Sequence, residues 1–225
     1  NMEIKIDPQK SRLFKDLLDY TGLNEMLALR RCDYAVTELA ILWDKKKSVL
    51  DFYREAELYI FDLTKYQLIL ESNQLVNKMI NQIENLKLKK ILEFGGGIGE
   101  FSVLCSEKDF DITYYDLDGE IKNYALWRFN KHQCDIKVAE KYPLDQQWDL
   151  VNMMDVLEHL ENPQEVISDL SKNTDYIFCN PEEVKYNVFF PQHVSKFDLR
   201  EYFELVDGYL WKNKNNCNDL KNGIN

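Results

Sequence analysis

Residues 91–100 read Ile91-Leu92-Glu93-Phe94-Gly95-Gly96-Gly97-Ile98-Gly99-Glu100. A short apolar run enters a group of glycines and leaves through residues that can start a helix. The order predicts a strand, a tight loop and a helix N-terminus. Glycines let the backbone turn sharply and approach a ligand closely, and the first N–H groups of a helix have no intrahelical partner. The ligand class follows from the acids. A dinucleotide fingerprint needs glycine at the sixth position from Gly95, where this chain has Glu100. Glu93, just ahead of the loop, would repel a pyrophosphate and suits a ligand with a cationic centre. No Walker lysine follows, so the loop does not read as a nucleoside-triphosphate cradle.

Downstream of residue 88, short apolar strands alternate with helices, as in a parallel sheet covered on both faces. Candidate strands are 89–94, 111–115, 135–138, 149–153 and 176–179. Helices are expected at about 98–107, 119–132 and 163–172, the last opening with Asn162-Pro163. Asp207-Gly208 between Leu205-Val206 and Tyr209-Leu210-Trp211 signals an antiparallel hairpin at one sheet edge. Asp116 follows the second strand 21 residues after Gly95, where an acid meets ribose hydroxyls in such folds; its alternative role is a helix cap. The expected class is α/β: a Rossmann-like, doubly wound, mostly parallel sheet with a C-terminal antiparallel hairpin and an N-terminal helical cap.

The first 88 residues read as helical. Leu13, Phe14, Leu17 and Leu18 form one stripe ending at Thr21-Gly22, and Val36, Leu39 and Trp43 form a second, followed by the solvated run Lys45-Lys46-Lys47. Residues 48–70 are rich in aromatics. Asn73 or Ser72 can cap a fourth helix whose buried face is Leu75, Val76, Met79, Ile80, Ile83 and Leu86. The organisation is therefore a helical cap or lid over 1–88, a ligand-binding domain over 89–212 and a polar tail over 213–225. Tyr59 and Tyr66, seven residues apart, share a helical face and are candidate substrate contacts, against the alternative that they pack on the sheet.

After the fourth strand comes Asp155-Val156-Leu157-Glu158-His159. With the E-x-G-x-G-x-G loop and Asp116, this resembles the class I S-adenosylmethionine-dependent methyltransferases, in the small-molecule branch of the ubiquinone-biosynthesis O-methyltransferases, over roughly residues 88–212. The resemblance implies S-adenosylmethionine as cofactor and S-adenosylhomocysteine as product. It places Glu93 toward the methionine amino group, and Gly95, Gly96, Gly97 and Gly99 along the methionine and ribose. It places Asp116 on the ribose, Leu117 beside the adenine, and Met153, Met154 and Asp155 at the methionine end. Glu140 is the nearest candidate for the adenine amino group.

A hydroxyl or ammonium acceptor must lose a proton, which calls for a base near neutral pKa. There are three histidines. His159 would share a helical face with Asp155; its alternative is a purely structural role. His193 falls in a loop after the fifth strand that could line the substrate pocket, as base or substrate contact, or could simply pack. His132 is expected on the surface.

Composition sets the remaining bounds. The chain has 225 residues, 45% of them hydrophobic, enough for a full core. Lys and Arg number 28 against 39 Asp and Glu, a net charge of −11, which opposes general nucleic-acid binding. No apolar run approaches a membrane span, and residues 2–18 contain no signal-peptide apolar region. Five scattered cysteines without a C-x-x-C argue for reduced thiols in a cytoplasmic protein, and no metal site is expected. The leading reading is a methyltransferase acting on a small molecule. Its competitors are an aminopropyltransferase using decarboxylated cofactor, a peptide or protein methyltransferase, and a non-catalytic scaffold. Oligomeric state and acceptor atom are not legible.

Overall fold

The computed structural model describes residues 7–43, 48–72, 74–143, 146–180, 191 and 193–215. The lysine run 45–47, the cap candidate Asn73, and the tail beyond 215 lie outside the described residues, as does most of the loop preceding His193.

Five helices come first: α1 (Arg12–Thr21), α2 (Glu25–Leu42), α3 (Val49–Glu55), α4 (Tyr59–Ser72) and α5 (Leu75–Leu86). Gly22 ends α1 in the left-handed conformation, as its position after the stripe predicted. Along α2 the buried line is Ala28, Cys32, Ala35 and Leu39, so Leu39 belongs to it while Val36 and Trp43 are only half-buried. The aromatic stretch after residue 48 divides into α3 and α4 at 56–58. In α5, Val76, Met79, Ile80 and Ile83 are buried while Leu86 is exposed. Gln74 occupies its N-cap position, with Ser72 ending the preceding helix.

The remainder is β1 (Lys90–Phe94), α6 (Glu100–Ser106), β2 (Asp111–Tyr115), α7 (Glu120–Lys131), β3 (Lys137–Val138), β4 (Trp148–Asn152), α8 (Pro163–Leu170), β5 (Thr174–Phe178), β6 (Phe203–Asp207) and β7 (Leu210–Asn213). They form one sheet in the order β3-β2-β1-β4-β5-β7-β6. The five central strands are parallel, and β7 runs antiparallel to β5 and β6. This is the expected Rossmann-like architecture. Boundaries differ locally. β3 keeps only two paired residues because it is an edge with one neighbour. β4 starts a residue early, where Trp148 pairs with Thr174, and that pairing also draws the start of β5 back to Thr174. Asn162 precedes Pro163 at the start of α8 without a side-chain cap bond.

Strand periodicity distributes the core. Ile91 and Leu92, both 0% exposed, face opposite sides of the sheet. Ile91 packs with α5 and α6 through Ile83, Phe101 and Cys105. Leu92 packs with Ile167 and Leu170 of α8 on the other face. The fourth helix of the sequence reading, α5, is thus a layer of the sheet. Helices α1 to α4 form a separate cluster that reaches Ile98 and, on α7, Ile121 and Tyr124.

Buried ion pairs fasten this cluster. Arg128, 0% exposed, donates Nε to Asp16 at 3.0 Å, also contacts Glu100, and donates Nη1 to the Ile98 carbonyl at 2.7 Å. Lys131 and His132 also bond Asp16. His132, expected on the surface, is therefore half-buried and structural. Burial pushes the Asp16 carboxyl up, but Lys131, His132 and Arg128 together hold it below the ordinary aspartate range.

Candidate functional site

Walking outward from β1, the sheet order runs one way to β2 and β3, then reverses to β4 and β5. The reversal leaves a crevice at the carboxyl ends of β1 and β4, where open α/β sheets bind ligands. A chamber of about 500 Å³ occupies that position, roofed by α3 and α4 of the cap. Its size falls within the usual range for small-ligand sites.

The glycine turn makes the floor. Gly95 has φ +68°, and a Cβ there would meet Val156 at 2.8 Å. At Gly96 a Cβ would fall 2.5 Å from the Tyr114 ring and 2.9 Å from the Glu93 carboxyl carbon. This glycine exists so that β2 and Glu93 can pack beneath the turn. Glu93 points to the α6 side, accepting the Ser102 N–H at 3.0 Å and also the Ser102 hydroxyl. Burial raises its carboxyl to about 8 despite those two donors. Asp116, at the tip of β2, accepts N–H groups of Gly97 at 2.5 Å and Leu117 at 2.6 Å. Burial raises it to about 6, with the same N–H groups pulling the other way.

The β4 end supplies the opposite wall. Asp155 holds φ +55°, so residues 154–156 form a turn and Leu157–His159 a single 3₁₀ turn. Asp155 and His159 therefore share no helical face, contrary to the sequence expectation. The Asp155 carboxylate instead receives the Tyr66 hydroxyl and the Asn180 amide. His159 Nδ1 lies 2.6 Å from the Tyr53 hydroxyl, and its ring meets His193 edge-on at 4.6 Å between centroids. Burial lowers the His193 imidazole below its ordinary value, partly offset by Asp155. Glu158 is 2% exposed, and its Oε1 has no hydrogen-bond partner. Burial, helped by the Asp155 charge, raises its carboxyl to about 7.

Most sequence candidates converge here. Glu93, Gly95, Gly96, Gly97, Asp116 and Leu117 line the chamber, and so do Met154, Asp155, Tyr59, Tyr66, His159 and His193. Gly99 and Met153 do not. Gly99 caps α6 against the Phe129 ring, and Met153 is fully buried with its N–H on the Phe178 carbonyl. Glu140 is exposed and away from the lining. Lining residues to which the sequence reading gave no site role include Asp62, Asn152 and Glu158. Periodicity held no signal for Asn152, whose buried Oδ1 lacks a partner. Asp62 sits in an aromatic stretch, and burial raises it to about 6 against the opposing charge of Lys65.

Residues 65–206 match the methyltransferase-domain family. The chain belongs to this family. The matching model is that of a methyltransferase domain, and S-adenosylmethionine is the cofactor that the sequence resemblance implies for this chain. No curated protein matches it. Similar solved structures include magnesium protoporphyrin IX methyltransferase from Synechocystis PCC 6803 with bound SAH, at 14% identity and TM-score 0.45, covering 55% of this chain and 62% of that one. A second is an S-adenosylmethionine-dependent methyltransferase from Clostridium acetobutylicum ATCC 824, at 12% identity and TM-score 0.42, covering 50% and 56%. A third is monomeric WbdD, at 15% identity and TM-score 0.48, covering 63% and 41%. The chain thus spans less than two thirds of each. The chamber suits the cofactor on its own chemistry. A buried carboxylate stands beside a side-chain-free turn, a second carboxylate tips β2, and the buried Asn152 Oδ1 is an unused acceptor.

Proposed function

We propose that this protein methylates a small-molecule acceptor held between the cap and the carboxyl ends of the strands. The observation that carries the reading is the roof. Tyr53, Tyr59 and Tyr66 stand over the glycine turn, and Tyr66 is tied to the β4 end through Asp155. A roofed chamber fits a metabolite better than a peptide, which needs an open groove.

S-adenosylmethionine supplies an activated methyl group for in-line displacement. The chain's own residues bind, orient and exclude water. Glu93 meets the ammonium, Asp116 accepts from the ribose hydroxyls, Leu117 flanks the adenine, and Gly95 to Gly97 with Met154 and Asp155 follow the methionine. Tyr59 and Tyr66 bound the acceptor. His159 and His193 mark the reacting end and take part in removing the acceptor proton.

Helices α1 to α4 then act as the cap, while α5 joins residues 89–212 in the cofactor domain. Asp155 to His159 supports the ubiquinone-type O-methyltransferase branch. Three described cysteines, Cys32, Cys105 and Cys179, are free and buried, which supports a reducing, cytoplasmic setting. Among the described residues no helix is long and apolar enough to cross a membrane.

Calorimetric titration with S-adenosylmethionine, S-adenosylhomocysteine and the decarboxylated cofactor tests the reading, followed by a metabolite screen for S-adenosylhomocysteine release. The first two should bind and the third more weakly. Preference for the decarboxylated form would establish aminopropyl transfer instead, and turnover only on peptides would exclude a small acceptor.

A further inference from the structure

We infer that the outward face of α2 is a two-fold interface through which two copies of this chain pair antiparallel, cap to cap. Exposure singles out this helix. Among the described residues, Met26, Leu27, Tyr34, Ile41 and Leu42 are five of the nine large apolar side chains that stand exposed, so these groups are gathered on one helix and not scattered. The inner side of the same helix, Ala28, Cys32, Ala35 and Leu39, is already buried, chiefly against α4. A helix apolar on both sides needs cover on both, and the described chain covers only the inner one.

Spacing turns these residues into a seam. Leu27, Tyr34 and Ile41 recur every seven residues, and seven residues of α-helix fall within about 20° of two full turns. The three therefore line up along about 21 Å of helix, and they are 47%, 61% and 77% exposed. Three points on a line, evenly spaced about Tyr34, are self-complementary under a two-fold axis through the middle one. Antiparallel pairing sets Leu27 of each copy against Ile41 of the other, with the two Tyr34 rings meeting at the axis.

Charge fixes the occupant and its direction. Arg31 and Glu38 flank the seam on the same side, at about 60° and about 40° around the helix from Tyr34, one turn before it and one after. Within one chain the two meet only at 3.7 Å, both about half exposed. Across the two-fold axis, Arg31 of each copy faces Glu38 of the other. Two opposite-charge pairs result, of the kind that sets partner and orientation between paired helices. Parallel pairing would instead bring Arg30, which borders the seam on its other side, against its own copy. Asp33, farther round on that side, is already paired with Lys65 of α4 at 2.8 Å. A face that carries both halves of its own match fits a second copy better than a foreign partner. Because α2 lies on α4, and α4 in turn roofs the chamber, the two chambers of the pair face away from the contact.

One helix face is smaller than a standard interface, so the pair is a weak one, with a dissociation constant of roughly 1–100 µM. Sedimentation velocity of the wild-type chain between about 1 µM and about 500 µM should therefore show the mass rising towards twice that of one chain. Tyr34→Asp and Ile41→Asp should each weaken association at least about tenfold. Arg31→Glu should weaken it at least about threefold by setting like charges opposite each other. Arg31→Glu combined with Glu38→Arg should recover wild-type association, because the exchange keeps both pairs. Leu205→Asp, on the exposed edge strand β6, should change nothing. The substituted side chains are all exposed or half-exposed, and far-UV circular dichroism checks that each variant keeps the fold. A wild-type chain that stays monomeric at the highest concentration overturns the interface. So does association that survives Tyr34→Asp and Ile41→Asp but is lost in Leu205→Asp, which would place the contact on the sheet edge. Failure of the double charge exchange to recover association also overturns it, because the antiparallel register requires that recovery.

Discussion

The Tyr66 hydroxyl of α4 donates to the carboxylate of Asp155, 89 residues later at the end of β4. Asn180, beyond β5, donates to the other oxygen of the same group. One side chain therefore joins the roof to two strand ends. Tyr66→Phe removes a donor to a charged acceptor and should lower unfolding stability by about 1.5–3 kcal/mol. Asp155→Ala should cost more, because it loses both bonds and puts alanine at φ +55°, itself about 1–2 kcal/mol. Urea denaturation reads both, and equal midpoints for Tyr66→Phe and the parent would refute the tie.

Glu93 carries a proton at neutral pH, since burial raises it from 4.5 to about 8. The unfolded chain has lost that proton above about 4.5, so Glu93 makes folding stability fall as pH rises between 4.5 and 8. A bound ammonium favours the carboxylate. Cofactor binding at pH 7 should thus release close to one proton, seen as a calorimetric enthalpy that depends on the buffer. The release should fade above about pH 9 and vanish in Glu93→Gln. A buffer-independent enthalpy at pH 7 would remove Glu93 from the ammonium end.

Asp116→Ala should weaken cofactor binding by roughly 1–3 kcal/mol, the value of one or two hydrogen bonds. The same substitution frees the N–H groups of Gly97 and Leu117, so Asp116→Asn, which keeps one acceptor, is the cleaner comparison. Affinity should also drop as pH falls through about 6 and Asp116 gains a proton. Unchanged affinity in both variants would place the ribose elsewhere.

Arg128 pairs with Asp16 and Glu100 while fully buried. Deleting one partner leaves a buried charge uncompensated, so Arg128→Ala should cost about 3–5 kcal/mol. Because Asp16 titrates below the ordinary aspartate range, its contribution is present above the unfolded aspartate pKa and disappears as pH falls through the folded value. Chemical denaturation at neutral and at acid pH should show a gap between parent and Arg128→Ala that narrows in acid.

The sheet was legible because its strands are short apolar runs separated by glycine and acid punctuation. β2 was found at its observed bounds, Asp111–Tyr115. The glycine loop and its acids were legible for the same reason: their chemistry is local. What escaped depends on distance. Tyr53 and His159 meet across 106 residues, and nothing near either one announces the other. Periodicity also failed at Asp155, where a left-handed residue cancels the helical spacing that linked it to His159. Glu158 looks like any solvated glutamate until the His193 segment closes over it.

Strand β7 lies between β5 and β6, pairing through Tyr176–Lys212, Ile177–Trp211 and Phe178–Leu210. During synthesis β5 must wait as a bare edge until residues 203–213 have emerged. A transcript truncated before them would yield a chain with a row of unsatisfied backbone groups beside the catalytic chamber, ready to recruit strands from other polypeptides. Completion of the sheet beside the chamber therefore hinges on the β6–β7 hairpin, which itself supplies none of the chamber lining.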